Sequence, residues 1–221
     1  MAMVRERYIR QISALREDLL RMFSMVEQQL LRSIHCLETW DTVAAAQIMH
    51  DDRQIDEAWR ALEESVIHVL ATQQPVVASD LRLTSVVTAI AGELERIGDY
   101  ANSIAKRVRR ASRRAAFVAP PPQIHEMAQL ALQMVNTSLE AFLRQDAELA
   151  RSLTAHDERV DELEDTLRAL IIADARQDPD RFEAAIDLLD MVHALERTAD
   201  RATNIGERVI YLATSSQTTL N

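Results

Sequence analysis

Pairs of acidic residues recur along the chain at a spacing that could bind cations. Two carboxylates four residues apart lie on one helix face, one turn from each other, and repel by roughly a few tenths of a kcal/mol. A repeated unfavourable pair calls for a compensating partner, and a bound cation is the simplest one because it reverses the local charge. Carboxylates suit Mg²⁺, Mn²⁺, Fe and, less specifically, Zn²⁺. The four pairs are Asp52/Asp56, Glu95/Asp99, Asp157/Asp161 and Glu196/Asp200.

Polar residues next to these pairs could complete a metal site. Asn204 lies one turn beyond Asp200 and could add an oxygen ligand. The matching position in the first half of the chain is Ser103, with Asn102 beside it. His193 falls near the second-half pair as well, but an isolated surface histidine is more often not a ligand. We therefore leave His193 outside the predicted ligand set.

Long helices must position these residues. Apolar residues recur at spacings of three and four over many turns, which predicts helices near residues 6–39, 41–72, 78–114, 123–143, 146–176 and 180–213. Prolines break helices, and they occur at Pro75, at 120–122 and at Pro179. Long helices joined by short turns favour antiparallel bundles. We predict an all-α fold of two tandem three-helix bundles, residues 1–116 and 117–221. The acidic pairs lie outside the apolar seams, which predicts sites on the bundle surfaces.

The two halves of the chain repeat each other. Residues 94–108 (LERIGDYANSIAKRV) and 195–209 (LERTADRATNIGERV) are identical at eight of fifteen positions without a gap. A second similarity links residues 52–57 (DRQIDE) to 157–162 (DERVDE). Self-similarity at a constant offset is typical of repeated structural units. Each unit therefore carries its own set of acidic pairs.

Composition limits the classes of partner. The net charge is −10, which argues against nucleic acid because an acidic surface repels phosphate backbones. A single cysteine, Cys36, cannot form an intrachain disulfide, and this favours a reducing compartment. The N-terminus has no apolar signal core, and no stretch of about 18 apolar residues could span a membrane. We expect a cytoplasmic protein.

The segment from Lys106 to Arg114 contains six basic residues and no acidic one. Cations at the end of a helix stabilise its dipole, and the alternative is a docking patch for anionic lipid or an acidic partner. The chain has no nucleophile elbow, P-loop, dinucleotide fingerprint or zinc-protease motif. The motifs give no positive case for an enzyme.

The chain resembles the PhoU family. The resemblance lies in residues 73–82 (QQPVVASDLR), 93–107 (ELERIGDYANSIAKR) and 187–212 (DLLDMVHALERTADRATNIGERVIYL), and in the two DxxxD segments. It covers nearly the whole chain in the family's order and spacing. The combination is specific, whereas a single ExxxD motif would carry no weight.

The resemblance implies two tandem three-helix bundles with pseudo-twofold symmetry, often as homodimers. It implies multinuclear metal clusters on the bundle surfaces and negative regulation of the phosphate-starvation (Pho) regulon and of phosphate uptake. Proteins of this family are thought to link the Pst phosphate transporter, here through its ATPase subunit, to a PhoR-type histidine kinase. Contact with the inner membrane would be peripheral, through that complex.

By position, the resemblance implies a set of metal ligands in each bundle. They are Asp52, Asp56, Glu95 and Asp99 in the first bundle, and Asp157, Asp161, Glu196, Asp200 and Asn204 in the second. The family commonly has Asn one turn after the motif Asp, but the first bundle has Ser103 there. Asn102 is shifted by one residue, which rotates it by about 100° around the helix. The second set is therefore expected to be the more complete.

Other interpretations stay open. The acidic residues could be a solvated face of a plain helical adaptor, paired to arginines such as Arg96 or Arg197. The chain could instead be a carboxylate-bridged metal-storage or di-iron bundle, which needs interior Glu-x-x-His pairs. The chain has no such pair, because Glu64 and His68 have the wrong spacing.

Overall fold

The computed structural model describes residues 2–72, 77–113 and 119–220. Within these ranges the chain is helical and contains no strand, which confirms the predicted all-α class. None of the described helices is long and apolar enough to cross a membrane. The helices are α1 (Ala2–Thr39), α2 (Thr42–Thr72), α3 (Ala78–Ala111), α4 (Gln123–Arg144), α5 (Ala147–Arg151), α6 (Leu153–Gln177) and α7 (Phe182–Thr214), with a 3-10 turn at Pro179–Arg181.

One predicted helix is divided in two. The apolar pattern predicted a single helix over residues 146–176, but α5 ends at Arg151 and α6 begins at Leu153. The break is a single residue, because the Ser152 N–H still donates to the Glu148 carbonyl at 3.1 Å. The ψ of Ser152 is −16°, about 25° from that of an α-helix, and this local departure ends the regular pattern. The prediction of one continuous helix was therefore wrong at this position.

Two predicted boundaries fall outside the described residues. Pro75 lies in the undescribed segment 73–76, and the division between residues 116 and 117 lies in segment 114–118. Helix α3 ends at Ala111, three residues before the predicted end at Arg114, which is also outside the described ranges.

Helices α1, α2 and α3 form one three-helix bundle, and α4, α6 and α7 form the second, with α5 packed on α7. The first core is filled by residues such as Leu19, Ile48 and Ile90, and the second by Met134 and Leu195, all fully buried. The structure therefore has the two three-helix bundles that the repeat predicted.

Helices α3 and α7 pack antiparallel and join the bundles. The Arg82 guanidinium lies 5.8 Å from the centre of the Tyr211 ring. Further along, Arg201 Nη1 lies 3.2 Å from Glu93 Oε2. Residue numbers rise along α3 in the direction in which they fall along α7, so the beginnings of the two similar segments, residues 94–99 and 195–200, face each other. This packing places both acidic motifs close to the junction of the bundles.

Candidate metal centres

The first acidic cluster lies between α2 and α3. Within this cluster the Asp52 carboxylate is held in one orientation, because it accepts hydrogen bonds from two amide side chains. Gln29 Nε2, on α1, donates to Asp52 Oδ1 at 2.8 Å and to the Gly98 carbonyl at 3.0 Å. Asn102 Nδ2, on α3, donates to the other oxygen, Oδ2. Three helices thus hold one carboxylate in place.

The other carboxylates of this cluster are close enough to perturb each other's ionisation. The pKa of Glu95 is raised, first by burial and then by the charges of Asp99 and Asp56. The pKa of Asp99 is raised by partial desolvation and then by Asp52 and Asp56. The structure therefore brings the four predicted residues of the first bundle together in one electronegative site.

The second cluster lies between α6 and α7 and is more deeply set. Asp157 is only 9% exposed, and burial raises its pKa to about 6 despite a hydrogen bond from Thr203 Oγ1 at 3.2 Å. Burial, and then Asp200, raise the pKa of Glu196 to about 7. The pKa of Asp161 is raised by burial, and Asp200 adds to the effect. Protonation or a bound cation would each relieve this concentration of charge.

Arginine compensates part of the second cluster. Arg197 Nη1 lies 2.7 Å from Asp200 Oδ2 and 3.7 Å from Glu196 Oε1. The pKa of Arg197 is raised, mainly by a side-chain hydrogen bond with Tyr100 on α3. Arg201 Nη2 also lies 3.4 Å from Asp200 Oδ2. The predicted alternative of arginine pairing is thus present at Asp200.

Two residues outside the predicted ligand set, Asn102 and Thr203, donate hydrogen bonds to the acidic clusters. Asn102 stands one residue before the position that matches Asn204, but seven residues after Glu95 it lies within about 20° of Glu95 around the helix, and it reaches the first cluster by donating a hydrogen bond to Asp52. Its repeat equivalent, Thr203, makes the matching contact with Asp157 in the second bundle. Asn204 is half-buried beside this contact. The sequence could have indicated this pair, because Asn102 and Thr203 are polar residues separated by 101 positions, the same offset that relates Glu95 to Glu196.

The predicted surface location is only partly right. Asp99 and Asp161 are exposed, whereas Asp157 is buried. Each cluster therefore lies between two helices, with one carboxylate that accepts a hydrogen bond from a polar side chain of the neighbouring helix and another that is exposed to solvent. The sequence motifs did not indicate Gln29, whose amide donates a hydrogen bond to Asp52 in the first bundle.

The residues present fit a metal ion in the second bundle. The buried Oε2 of Glu196 accepts no hydrogen bond among the described residues, although His193 Nδ1 lies 3.3 Å from it, and a buried carboxylate oxygen without a hydrogen bond is costly. The ligand atoms are mainly carboxylate oxygens, which suit hard and intermediate cations. In the first bundle the Asp52 oxygens are already engaged by Gln29 and Asn102. The second cluster is therefore the better metal site of the two.

The basic segment contributes to the junction of the bundles. Arg107 Nη2 lies 2.9 Å from Asp190 Oδ2 on α7, and Arg110 Nη2 lies 3.4 Å from Glu183 Oε2. Part of this charge therefore joins α3 to α7. The remaining described cations line a shallow cavity of about 480 Å³ with Met49 and Arg110; they are Lys106, Arg109 and Arg113.

Comparison with known proteins identifies the family. The family model described as PhoU domain matches residues 19–108 and 124–209. The chain is 32% identical to the phosphate-specific transport system accessory protein PhoU homolog of Clostridium acetobutylicum, over 99% of this chain and 100% of that protein. It is 31% identical to the Pseudomonas aeruginosa homologue, over 95% of this chain and 86% of that protein.

Solved structures agree with this result. The crystal structure of PhoU from Pseudomonas aeruginosa matches with a TM-score of 0.88 and 30% identity, covering 95% of this chain and 100% of that chain. The regulatory protein PhoU from Streptococcus pneumoniae matches with a TM-score of 0.88 and 28% identity, covering 96% and 100%. The resemblance predicted from the motifs is thereby confirmed, and the chain belongs to the PhoU family.

Proposed function

We propose that this chain is an accessory regulator of a phosphate-specific transport system. It would act as a non-enzymatic binding protein that represses the phosphate-starvation regulon and limits phosphate uptake when phosphate is plentiful. The observation that carries the proposal is similarity over nearly the full length of proteins named for that system. Its partners would be the transporter's ATPase subunit and a PhoR-type histidine kinase, met in the cytoplasm at the membrane face.

The acidic clusters are the proposed metal-binding part of this function. Asp157, Asp161, Glu196 and Asp200 would hold the ion in the second bundle, with Asn204 as a further oxygen donor. A bound divalent or trivalent ion would neutralise carboxylates that otherwise repel each other. Support comes from the raised pKa values of the buried carboxylates and from the Glu196 oxygen that accepts no hydrogen bond among the described residues. The metal could be Fe, Mn, Mg or Zn.

A deletion strain tests the regulatory proposal. Loss of the gene should derepress alkaline phosphatase in phosphate-rich medium, and the wild-type chain should restore repression. Unchanged phosphatase expression in the deletion strain would contradict the proposal. Light scattering of the purified protein would test the proposed homodimer separately.

Elemental analysis tests the metal proposal independently. Untagged protein should contain stoichiometric metal after dialysis, and a Glu196→Gln/Asp200→Asn variant should contain less. Equal metal in both proteins, or none in either after loading with iron, manganese or zinc, would contradict it. Rapid oxidation of added ferrous iron would instead favour the storage alternative.

A further inference from the structure

A histidine lies at the edge of the second acidic cluster. His193 Nδ1, on α7, is 3.3 Å from Glu196 Oε2 and 3.8 Å from Glu164 Oε1, on α6. One ligand atom from each of these three residues lies within 4.8 Å of the others. Two donors bound about 2.1 Å from a tetrahedral metal ion are separated by about 3.4 Å. The two distances from His193 Nδ1, 3.3 Å and 3.8 Å, are near that value, and no two of the three ligand atoms are more than 4.8 Å apart.

The surroundings of these three residues suit an ion that enters from solvent. The carboxylates are recessed, with side-chain exposures of 17% for Glu164 and 14% for Glu196, whereas the His193 side chain is 61% exposed and faces solvent. Glu196 contributes the buried oxygen that accepts no hydrogen bond. Arg168 Nη2 also contacts Glu164 Oε1, at 2.8 Å. The Arg168 side chain is itself 55% exposed, and an ion pair with a solvated partner contributes little, so Arg168 can move aside.

The first bundle has no equivalent of this arrangement. The offset of 101 residues that relates Glu95 to Glu196 relates Gly92 to His193, and the offset of 105 that relates Asp52 to Asp157 relates Trp59 to Glu164. Two of the three donors are therefore absent from the first repeat. Nothing lies within 4 Å of where a Cβ at Gly92 would be, so a side chain there is sterically allowed. The two repeats therefore differ in the donor atoms that they offer at this position.

We propose that Glu164, His193 and Glu196 form a transition-metal site that makes the second bundle selective for imidazole-binding ions of the Zn²⁺ type. Imidazole suits Zn, Cu, Fe and Ni, whereas Mg²⁺ prefers oxygen ligands alone. The proposal deepens the proposed metal function of this cluster and rests on it, because Glu196 belongs to both. The competing explanation is a histidine–glutamate ion pair, which needs no metal.

Calorimetric titration of metal-free protein with Zn²⁺ and with Mg²⁺ tests the site. His193→Ala and Glu164→Gln are the variants, and His68→Ala, an exposed histidine of the first bundle, is the matched control. Both test variants should weaken one Zn²⁺ site by at least about tenfold, since even residues outside the ligand shell contribute about 10- to 100-fold. His68→Ala should bind Zn²⁺ like the wild type, and Mg²⁺ binding should not respond to His193→Ala.

A second readout locates the ion. Zn²⁺ should shift the NMR signals of the His193 imidazole, assigned by their absence from His193→Ala, at one equivalent. Unchanged Zn²⁺ affinity and stoichiometry in both test variants would overturn the inference while leaving the carboxylate cluster as a metal site. Absence of any Zn²⁺, Mn²⁺ or iron binding by the wild type would overturn both proposals. An exposed side chain is removed in His193→Ala, so its fold should be retained, as circular dichroism would show.

Discussion

Replacing Glu196 by Gln should reduce the pH dependence of stability in the metal-free protein. Burial and the charge of Asp200 raise the pKa of Glu196 from its ordinary value of 4.5 to about 7 in the folded protein. Below about pH 4.5 the carboxyl is protonated in both folded and unfolded chains, and its contribution to the free energy of unfolding is fully present. As the pH rises through 7, the folded chain must ionise a recessed carboxyl, and this contribution is lost. Glutamine does not titrate and avoids this loss.

The size of the effect follows from the pKa. A tenfold change in proton affinity corresponds to about 1.4 kcal/mol. A rise of the pKa from 4.5 to about 7 therefore corresponds to about 3 kcal/mol. Relative to wild type, the variant should gain about 3 kcal/mol between about pH 4 and about pH 8, or about 6–12 °C in Tm for a chain of this size.

Urea denaturation of metal-free protein, followed by circular dichroism across this pH range, measures the effect. Glu57→Gln, which changes an exposed carboxylate of α2, is the control and should follow the wild-type profile. With added Mn²⁺ or Zn²⁺ the wild type should be more stable than Glu196→Gln at high pH, because the ion binds the ionised carboxylate. Parallel pH profiles for Glu196→Gln and wild type would refute the reasoning.

Three further outcomes are expected. Gly206→Ala should destabilise the protein by about 1–3 kcal/mol, because the new Cβ would lie 2.7 Å from a methyl group of Leu153; Gly92→Ala, with nothing within 4 Å, should stabilise it by about 1 kcal/mol. Equal denaturation midpoints for these two variants would contradict the packing at α7. Arg201→Met should cost about 3–5 kcal/mol by leaving the recessed Glu93 unpaired, and Arg201→Met/Glu93→Gln should recover much of it, as a double-mutant cycle with Glu93→Gln would show. Saturating metal, at about 100 times its Kd, should stabilise the wild type by about 2.7 kcal/mol, whereas the Glu196→Gln/Asp200→Asn variant should gain little in the same thermal melt.

Much of the fold was predictable because its signals are local. Apolar spacing of three and four residues predicts a helix wherever it occurs, and the eight identities between residues 94–108 and 195–209 indicate a repeat without any knowledge of contacts. The break between α5 and α6 escaped this reasoning, because the apolar period continues across Ser152 while the backbone departs from helical geometry at that one residue.

The acidic pairs were likewise evident in the sequence, since two carboxylates at i and i+4 must share a helix face. Which pair faces which could not be determined, because it depends on how each helix is rotated and shifted against its neighbours. Only that packing buries Asp157 and places the Thr203 hydroxyl 3.2 Å from it. It also brings Glu164 on α6 within 3.8 Å of His193 on α7, residues separated by 29 positions in the chain. The sequence determined the helices, the repeat and the acidic motifs, whereas the tertiary structure decided which charges meet, because long-range helix packing sets burial and distance together.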